Sequence, residues 1–315
     1  MATWSRTLDQ AGITDPLLRR DYSELRRLVT RFARAEYVAV RLLLPAPLVP
    51  HIIAATAFMH DSDNRIDQGP FEQRLAALAD WERQVRAVLA SDAADEPVLR
   101  ALIHTITRHP QLRKNVESYL AGAPSEVQWE GFATEADFRH YVDTYSHPAF
   151  MLIACLLAPP PPADAYSAGC RTFIEASQRL DFLEDIAEDL QNGRLGIPED
   201  ALAQHGVTRN DLHRGEDCGR VSELMDQQLA LIRPGLTASH RLVDLVEPQS
   251  RQLIRALVTL QEIRLRAVEK RGPALLRGPA EMPVAAAVRV LAREYRSARR
   301  QRDVPLSSPP RAGRR

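Results

Sequence analysis

The segment Gln178–Leu190 limits what this chain can fold into more than any other. At 3.6 residues per turn, Asp181, Asp185 and Asp189 form one row of a helix, with Glu184 and Glu188 beside it. Leu183, Ile186, Ala187 and Leu190 occupy the opposite side. The apolar stripe requires a helix packed against other helices. The acidic arc requires something beyond the helix to offset it. Like charges four residues apart each cost roughly 0.2–0.5 kcal/mol, and no Lys or Arg interrupts the arc.

The remainder of the 315 residues suits a bundle that could receive such a helix. Ala, Leu and Arg dominate, Gly is scarce, and apolar residues recur at helical rather than alternating spacing. The spacing predicts helices near 21–36, 46–66, 71–91, 95–109, 111–122, 135–157, 165–192, 200–205, 217–232, 236–245, 249–270 and 283–302. Pro45 and Pro47, Gln68-Gly69-Pro70, Gly122-Ala123-Pro124 and the run Pro159–Pro162 punctuate them, and Asn192-Gly193 reads as the stop after the acidic helix. The expected organisation is an N-terminal segment (1–19), one all-α domain (20–303) and a disordered basic tail (304–315). Lys plus Arg equals Asp plus Glu at 41 each, which gives no global attraction to nucleic acid or anionic lipid. Cys155, Cys170 and Cys218 are too few and scattered for a disulfide framework or a zinc site. With no long apolar run and no signal-peptide pattern, the expectation is a cytoplasmic protein without an integral membrane segment.

A second acidic cluster, His60-Asp61-Ser62-Asp63-Asn64-Arg65-Ile66-Asp67, follows a stretch apolar almost all round (Ile52, Ile53, Ala54, Ala55, Ala57, Phe58). A helix of that kind is buried, and its terminal carboxylates then need partners. Asp63 and Asp67, four apart, share a face. Taken alone they are equally explained as a solvated helix end. Two Asp pairs on separate helices nevertheless provide hard oxygen ligands suited to Mg²⁺, which takes one or two carboxylates plus substrate phosphates and keeps several waters.

The residues then resemble a known family, the squalene/phytoene synthases. Gln178 through Pro198 is similar to the family's Q-x-x-N-x-x-R-D-x-x-E-D-x-x-x-G-R-x-Y-x-P motif, with Gln178, Asp185, Glu188, Asp189, Gly193, Arg194 and Pro198 in place. Ala57 through Asp67 resembles A-F-x-R-x-x-D-D-x-x-D, and Arg41-Leu42-Leu43-Leu44-Pro45 resembles the preceding R-L-L-P. The resemblance implies a single-domain helical isoprenoid-synthase bundle around a central apolar cavity. It also implies Mg²⁺-dependent ionisation of a prenyl diphosphate, with Mn²⁺ as a substitute. Asp63 and Asp67 would hold metal from one wall, and Asp181, Asp185 and Asp189 from the other. Arg194, Arg34 and Gln178 would contact substrate; a surface ion pair explains Arg34 equally well. Tyr37 and Phe150 would face the carbocation.

Several positions depart from that pattern. His60 and Asn64 replace an Arg and an Asp of the first motif, Asp181 and Glu184 replace the Asn and Arg of the second, and Gly196 replaces its Tyr. Ala33-Arg34-Ala35-Glu36 lacks the hydroxyls of S-x-S-F, and Ser146-His147 and Phe150 stand where the family has Ala-Gly and Gly. Loss of basic residues weakens the grip on a second diphosphate. The expectation is therefore a class I terpene synthase acting on one prenyl diphosphate, C20 by family analogy and linear or already bicyclic, such as a copalyl-type diphosphate. Cyclisation, rearrangement, deprotonation or water capture would follow. Head-to-head condensation of two prenyl diphosphates is the alternative, and an inactive scaffold homologue is a second. His147 and Tyr145 are the candidate proton acceptors, with a purely structural His147 as the other reading. The oligomeric state is left open.

Overall fold

Helices begin where the sequence supplies caps and stop where the backbone must turn. In the computed structural model, residues 3–67, 69–161, 163–215 and 219–302 are described, without the side chains of Ile66, Asp67, Phe71, Glu72 and Arg302. The Thr3 hydroxyl accepts from the Arg6 N–H to open α1 (Trp4–Gln10), a helix the periodicity does not predict. Asp15 caps α2 (Pro16–Phe32), with Pro16 in its first turn. A break at Ala33 starts α3 (Arg34–Leu43), so the helix expected over 21–36 is two.

The central element is α4 (Val49–Asp67), whose Ile52 through Phe58 are almost wholly buried apart from Thr56. Around it pack α2, α3, α5 (Phe71–Ser91), α6 (Pro97–Arg108), α7 (Gln111–Val127) and, further along the chain, α9 (His147–Ala154). Gly122-Ala123-Pro124 does not end α7, as the sequence suggests; the helix passes through it. The reason for Gly122 is close approach: a Cβ there would stand 1.6 Å from the Thr144 carbonyl oxygen.

The single helix expected over 135–157 is three segments. A Thr134–Asp137 capping box opens α8 (Glu135–Tyr141), a π-helical turn covers Val142–Ser146, and α9 continues from His147. The acidic helix also divides. α10 (Asp164–Glu184) ends and α11 (Ile186–Gln191) begins at Asp185, whose φ of −93° and ψ of 5° leave the helical region. Gly193, at φ 75°, supplies the expected stop. Beyond it lie α12 (Glu199–Gln204), the unforeseen α13 (Arg209–Arg214), α14 (Gly219–Ser239), α15 (Leu242–Leu245), α16 (Arg251–Arg271) and α17 (Val284–Arg302).

One continuous apolar core runs from Leu8 and Tyr22 through α4 to Val268, and a separate aromatic cluster joins Trp129, Phe132, Phe138, Tyr141 and Phe182. The fold is all-α; the extended pairing among the described residues is an isolated bridge, Gly131 with Leu195. No helix among the described residues is long and apolar enough to cross a membrane. Cys218, Pro162 and the expected tail from 304 lie outside the described residues.

Candidate diphosphate and metal site

The cation missing from the acidic arc comes from a helix about eighty residues away in sequence. Arg264, on α16, lies 2.7 Å from Asp181 and donates to both Glu184 and the Gln261 carboxamide. Asp181 is therefore paired with a guanidinium in the absence of metal. Burial still pushes the Asp181 carboxyl above its usual range, against the pull of Arg264. Arg264 carried a detectable signal: it falls on the same stripe of α16 as Leu257 and Val268, where an apolar side chain is expected.

Asp185 and Asp189 are different. Neither takes part in an ion pair or side-chain hydrogen bond among the described residues. Burial first, then the neighbouring Asp185 charge, raises Asp189 from its ordinary 3.8 to about 6, and Arg194 only partly opposes this. Burial, Glu184 and Glu188 likewise raise Asp185. Two carboxylates resisting ionisation side by side are a preformed place for a cation. Arg194 stands beside them because its N–H donates to the Asp189 carbonyl (2.8 Å), while the Leu195 N–H donates to Glu130 (3.1 Å). Its guanidinium lies 5.4 Å from the centre of the Trp129 ring. Trp129, without a role in the sequence reading, thus supports Arg194 and stacks on Phe182 at 4.8 Å. Phe182 in turn explains Gly196: any Cβ at 196 would meet the Phe182 ring at 2.1–2.6 Å. The aromatic that the motif places at 196 is supplied here from 182.

The other wall is the C-terminal end of α4. Asp63 accepts from the Tyr119 hydroxyl at 2.8 Å and from the Tyr145 hydroxyl at 3.3 Å. Burial and the Asp63 charge hold Tyr119 far above the usual phenol range, and burial and Tyr119 do the same for Tyr145, so both remain neutral donors. Trp81 donates to Ser62 (2.9 Å) and underlies Arg65 at 4.0 Å, fixing the last turns of α4. The altered first-motif residues form their own contact: Asn64 reaches His60 at 3.2 Å, and His60 stacks on Phe32 at 3.6 Å. The Asp67 side chain lies outside the described residues.

The π-helical turn spans both walls with consecutive residues. Tyr145 reaches Asp63 on α4, and the Ser146 hydroxyl donates to Gln178 on α10 at 3.0 Å. The remaining candidates are placed elsewhere. His147 has Asp143, Arg171 and the Ser167 backbone as its electrostatic neighbours, and its buried Nε2 has no partner among the described residues. None of these neighbours is a candidate carboxylate, so the structure does not bring His147 into the cluster. Phe150 packs on Phe173 at 5.4 Å. Tyr37 is half-buried against the main core, and Arg34 is exposed at the start of α3.

No group of three or more His, Cys, Asp or Glu side chains among the described residues is arranged to hold a metal ion by itself. An ion here would be held by one or two carboxylates from each wall together with substrate oxygens and water. Asp63, Asp185 and Asp189 fit such an ion, and Asp181 would join them only by leaving Arg264.

Comparison with known proteins accords with this geometry. The squalene/phytoene synthase family model matches residues 29–297. The bifunctional protein CrtB/UppS of Streptomyces coelicolor is 31% identical over 220 residues, covering 70% of this chain but only 38% of that protein. A 15-cis-phytoene synthase of Synechococcus elongatus is 24% identical over 83% of this chain and 88% of its own length. Among solved structures, squalene synthase HpnC of Alicyclobacillus acidocaldarius superposes with a TM-score of 0.75 at 23% identity, over 86% of this chain and 99% of that one. A dehydrosqualene synthase reaches 0.79 at 20% identity, over 90% of this chain and 98% of its own. With its two acidic segments facing a shared π-helical turn and the family model spanning most of its length, this chain belongs to the squalene/phytoene synthase family.

Proposed function

We propose that the protein ionises a prenyl diphosphate between α4 and the α10–α11 junction and joins the resulting allylic unit head to head with a second prenyl diphosphate. The observation that carries the ionisation step is the pair Asp185 and Asp189, raised in pKa by burial and by neighbouring carboxylates, beside Arg194. A bound Mg²⁺ would neutralise charge developing on the diphosphate leaving group. Arg194 would add charge-assisted hydrogen bonds to its oxygens. Tyr119 and Tyr145, kept neutral by burial, would hold Asp63 in a fixed rotamer through their hydroxyls. Aromatic and aliphatic side chains would exclude water from the cation that remains. The second condensation partner is inferred from the relatives, several of which are phytoene or squalene synthases by name.

One observation favours a second reading, the single-substrate terpene synthase expected from the sequence. Where the family motif has Asn and Arg, this chain has Asp181 and Glu184, and Arg264 is consumed in neutralising them. A net cation is thus lost from the place where a second diphosphate would be gripped. Purified protein incubated with Mg²⁺ and deuterated C15 or C20 diphosphates separates the two. A hydrocarbon carrying two labelled units establishes condensation; a cyclic or eliminated product carrying one establishes the terpene synthase. Absence of turnover with every chain length, together with no joint stabilisation by Mg²⁺ and diphosphate, would leave the inactive scaffold.

A further inference from the structure

At the N-terminal end of α4, twelve residues and about 18 Å along the helix from Asp63, lies a cavity of about 560 Å³ that carries polar groups on a largely apolar wall. Its walls come from the starts of three long helices: His51 in the first turn of α4, Pro110 and Gln111 opening α7, and Ser250 preceding α16. The first turn of a helix leaves N–H groups without intrahelical partners and carries the positive end of its dipole. Neither α7 nor α16 has a side-chain cap. Ser250 is the N-cap residue of α16, yet its hydroxyl does not fold back on the helix. It is fully buried, lines the cavity, and has no hydrogen-bond partner among the described residues. A hydroxyl in that state is costly unless something in the cavity meets it.

The side chains add positive potential. Arg108 and His109 line the cavity, and no ion pair among the described residues holds Arg108. His51 packs 4.8 Å from His109 and 5.7 Å from His104, with its Nδ1 3.1 Å from Thr105 Oγ1, which also meets the Tyr22 hydroxyl at 2.9 Å. Burial first, then His109, His104 and Arg108, push His51 down to about 3, and burial and Arg108 lower His104 and His109. Three imidazoles thus lie beside a guanidinium, their protonation disfavoured first by burial and then by its charge. The one carboxylate in the lining is Glu247.

We infer that this cavity is an oxyanion site for a phosphate group, bound by Arg108, the Ser250 hydroxyl and the N-terminal end of α16. Helix N-termini are suited to phosphate oxygens, and Arg108 matches them by charge and geometry. The site does not depend on the reaction proposed above, since none of its lining residues belongs to the Asp63, Asp185 and Asp189 site. The phosphate can belong to inorganic phosphate or to diphosphate released from a prenyl substrate.

The test is thermal unfolding and calorimetry of the intact protein in EDTA, titrated with inorganic phosphate and, separately, with inorganic diphosphate. Binding raises the midpoint with the logarithm of anion concentration. Arg108→Gln, at an exposed position, is expected to weaken phosphate about tenfold through the lost charge-assisted bonds. Ser250→Ala should weaken it by a smaller factor, and Arg194→Gln should leave it unchanged. Similar affinity for both probes assigns the site to a single phosphate group; a tenfold preference for diphosphate ties it to the released product. No stabilisation by either anion, or stabilisation lost in Arg194→Gln and kept in Arg108→Gln, overturns the assignment. Crystals soaked in tungstate give an independent reading: an anomalous peak between Arg108 and Ser250 supports the site, and a peak confined to Arg194 removes it.

Discussion

The two ends of α4 carry opposite imbalances. Beyond its C-terminal end, across the π-helical turn from Asp63, Asp185 and Asp189 form no ion pair among the described residues; at its N-terminal end, His51 lines a cavity where Arg108 forms none. Between them the helix is almost uniformly apolar. Local burial raises carboxylate pKa values at one end and lowers imidazole pKa values at the other. The same desolvation thus prepares one end for a cation and the other for an anion. A folded chain tolerates such unpaired groups when it has stability from elsewhere, here from the core around α4.

The largest break in that comparison should come from the acidic end. Asp189→Asn is expected to reduce product formation about 10²–10³-fold, the scale of losing one preorganised electrostatic contact, while the melting temperature without metal stays level or rises. A variant of unchanged activity would remove Asp189 from the site. Next in size is Gly122→Ala. With its new Cβ directed at the Thr144 carbonyl, it should lose about 3 kcal/mol in a denaturant titration, and the π-helical turn should lose its hold on both walls. Arg264→Gln comes third. It strands Asp181 and Glu184, and because all three side chains keep some solvent the loss should be about 2 kcal/mol, below that of a fully buried pair. Double substitution with Glu184→Gln should recover part of it, and failure to do so would separate Arg264 from the acidic arc.

The smallest effect sharpens the sign of the imbalance. Asp189 titrates near 6 in the folded protein against 3.8 unfolded, so the folded state holds more protons between these values. Its contribution therefore destabilises the metal-free protein progressively as pH rises from about 4 to 6, by about 1 kcal/mol once solvent screening is allowed for. A divalent cation with diphosphate should relieve this, giving a larger gain in melting temperature at pH 7.5 than at pH 5. A gain that is equal at both values would mean that the ion does not engage Asp189.

Much of this was legible in residue order. The acidic row, the apolar α4 and the Gly193 stop follow from local spacing. The break at Asp185 was not, since no Gly or Pro marks it. Arg264 was hidden by distance in sequence and by company, being one of five arginines on α16. Phe182 and Gly196 read as unrelated departures because only packing shows that one fills the space the other vacates. Metal-ligand roles for Asp63 and Asp67, and substrate roles for Arg34 and Tyr37, rest on the motif alone.

The π-helical turn has a genetic consequence. A π turn holds one residue more than the α-turn it replaces, and each residue rotates a helix by about 100°. Deleting a single residue within 142–146 would let the segment relax into a continuous α-helix and swing everything after it by that angle. Tyr145 and Ser146 could then no longer serve Asp63 and Gln178 at once. A one-codon loss here, with every carboxylate intact, should abolish the site's alignment as thoroughly as losing one of its walls.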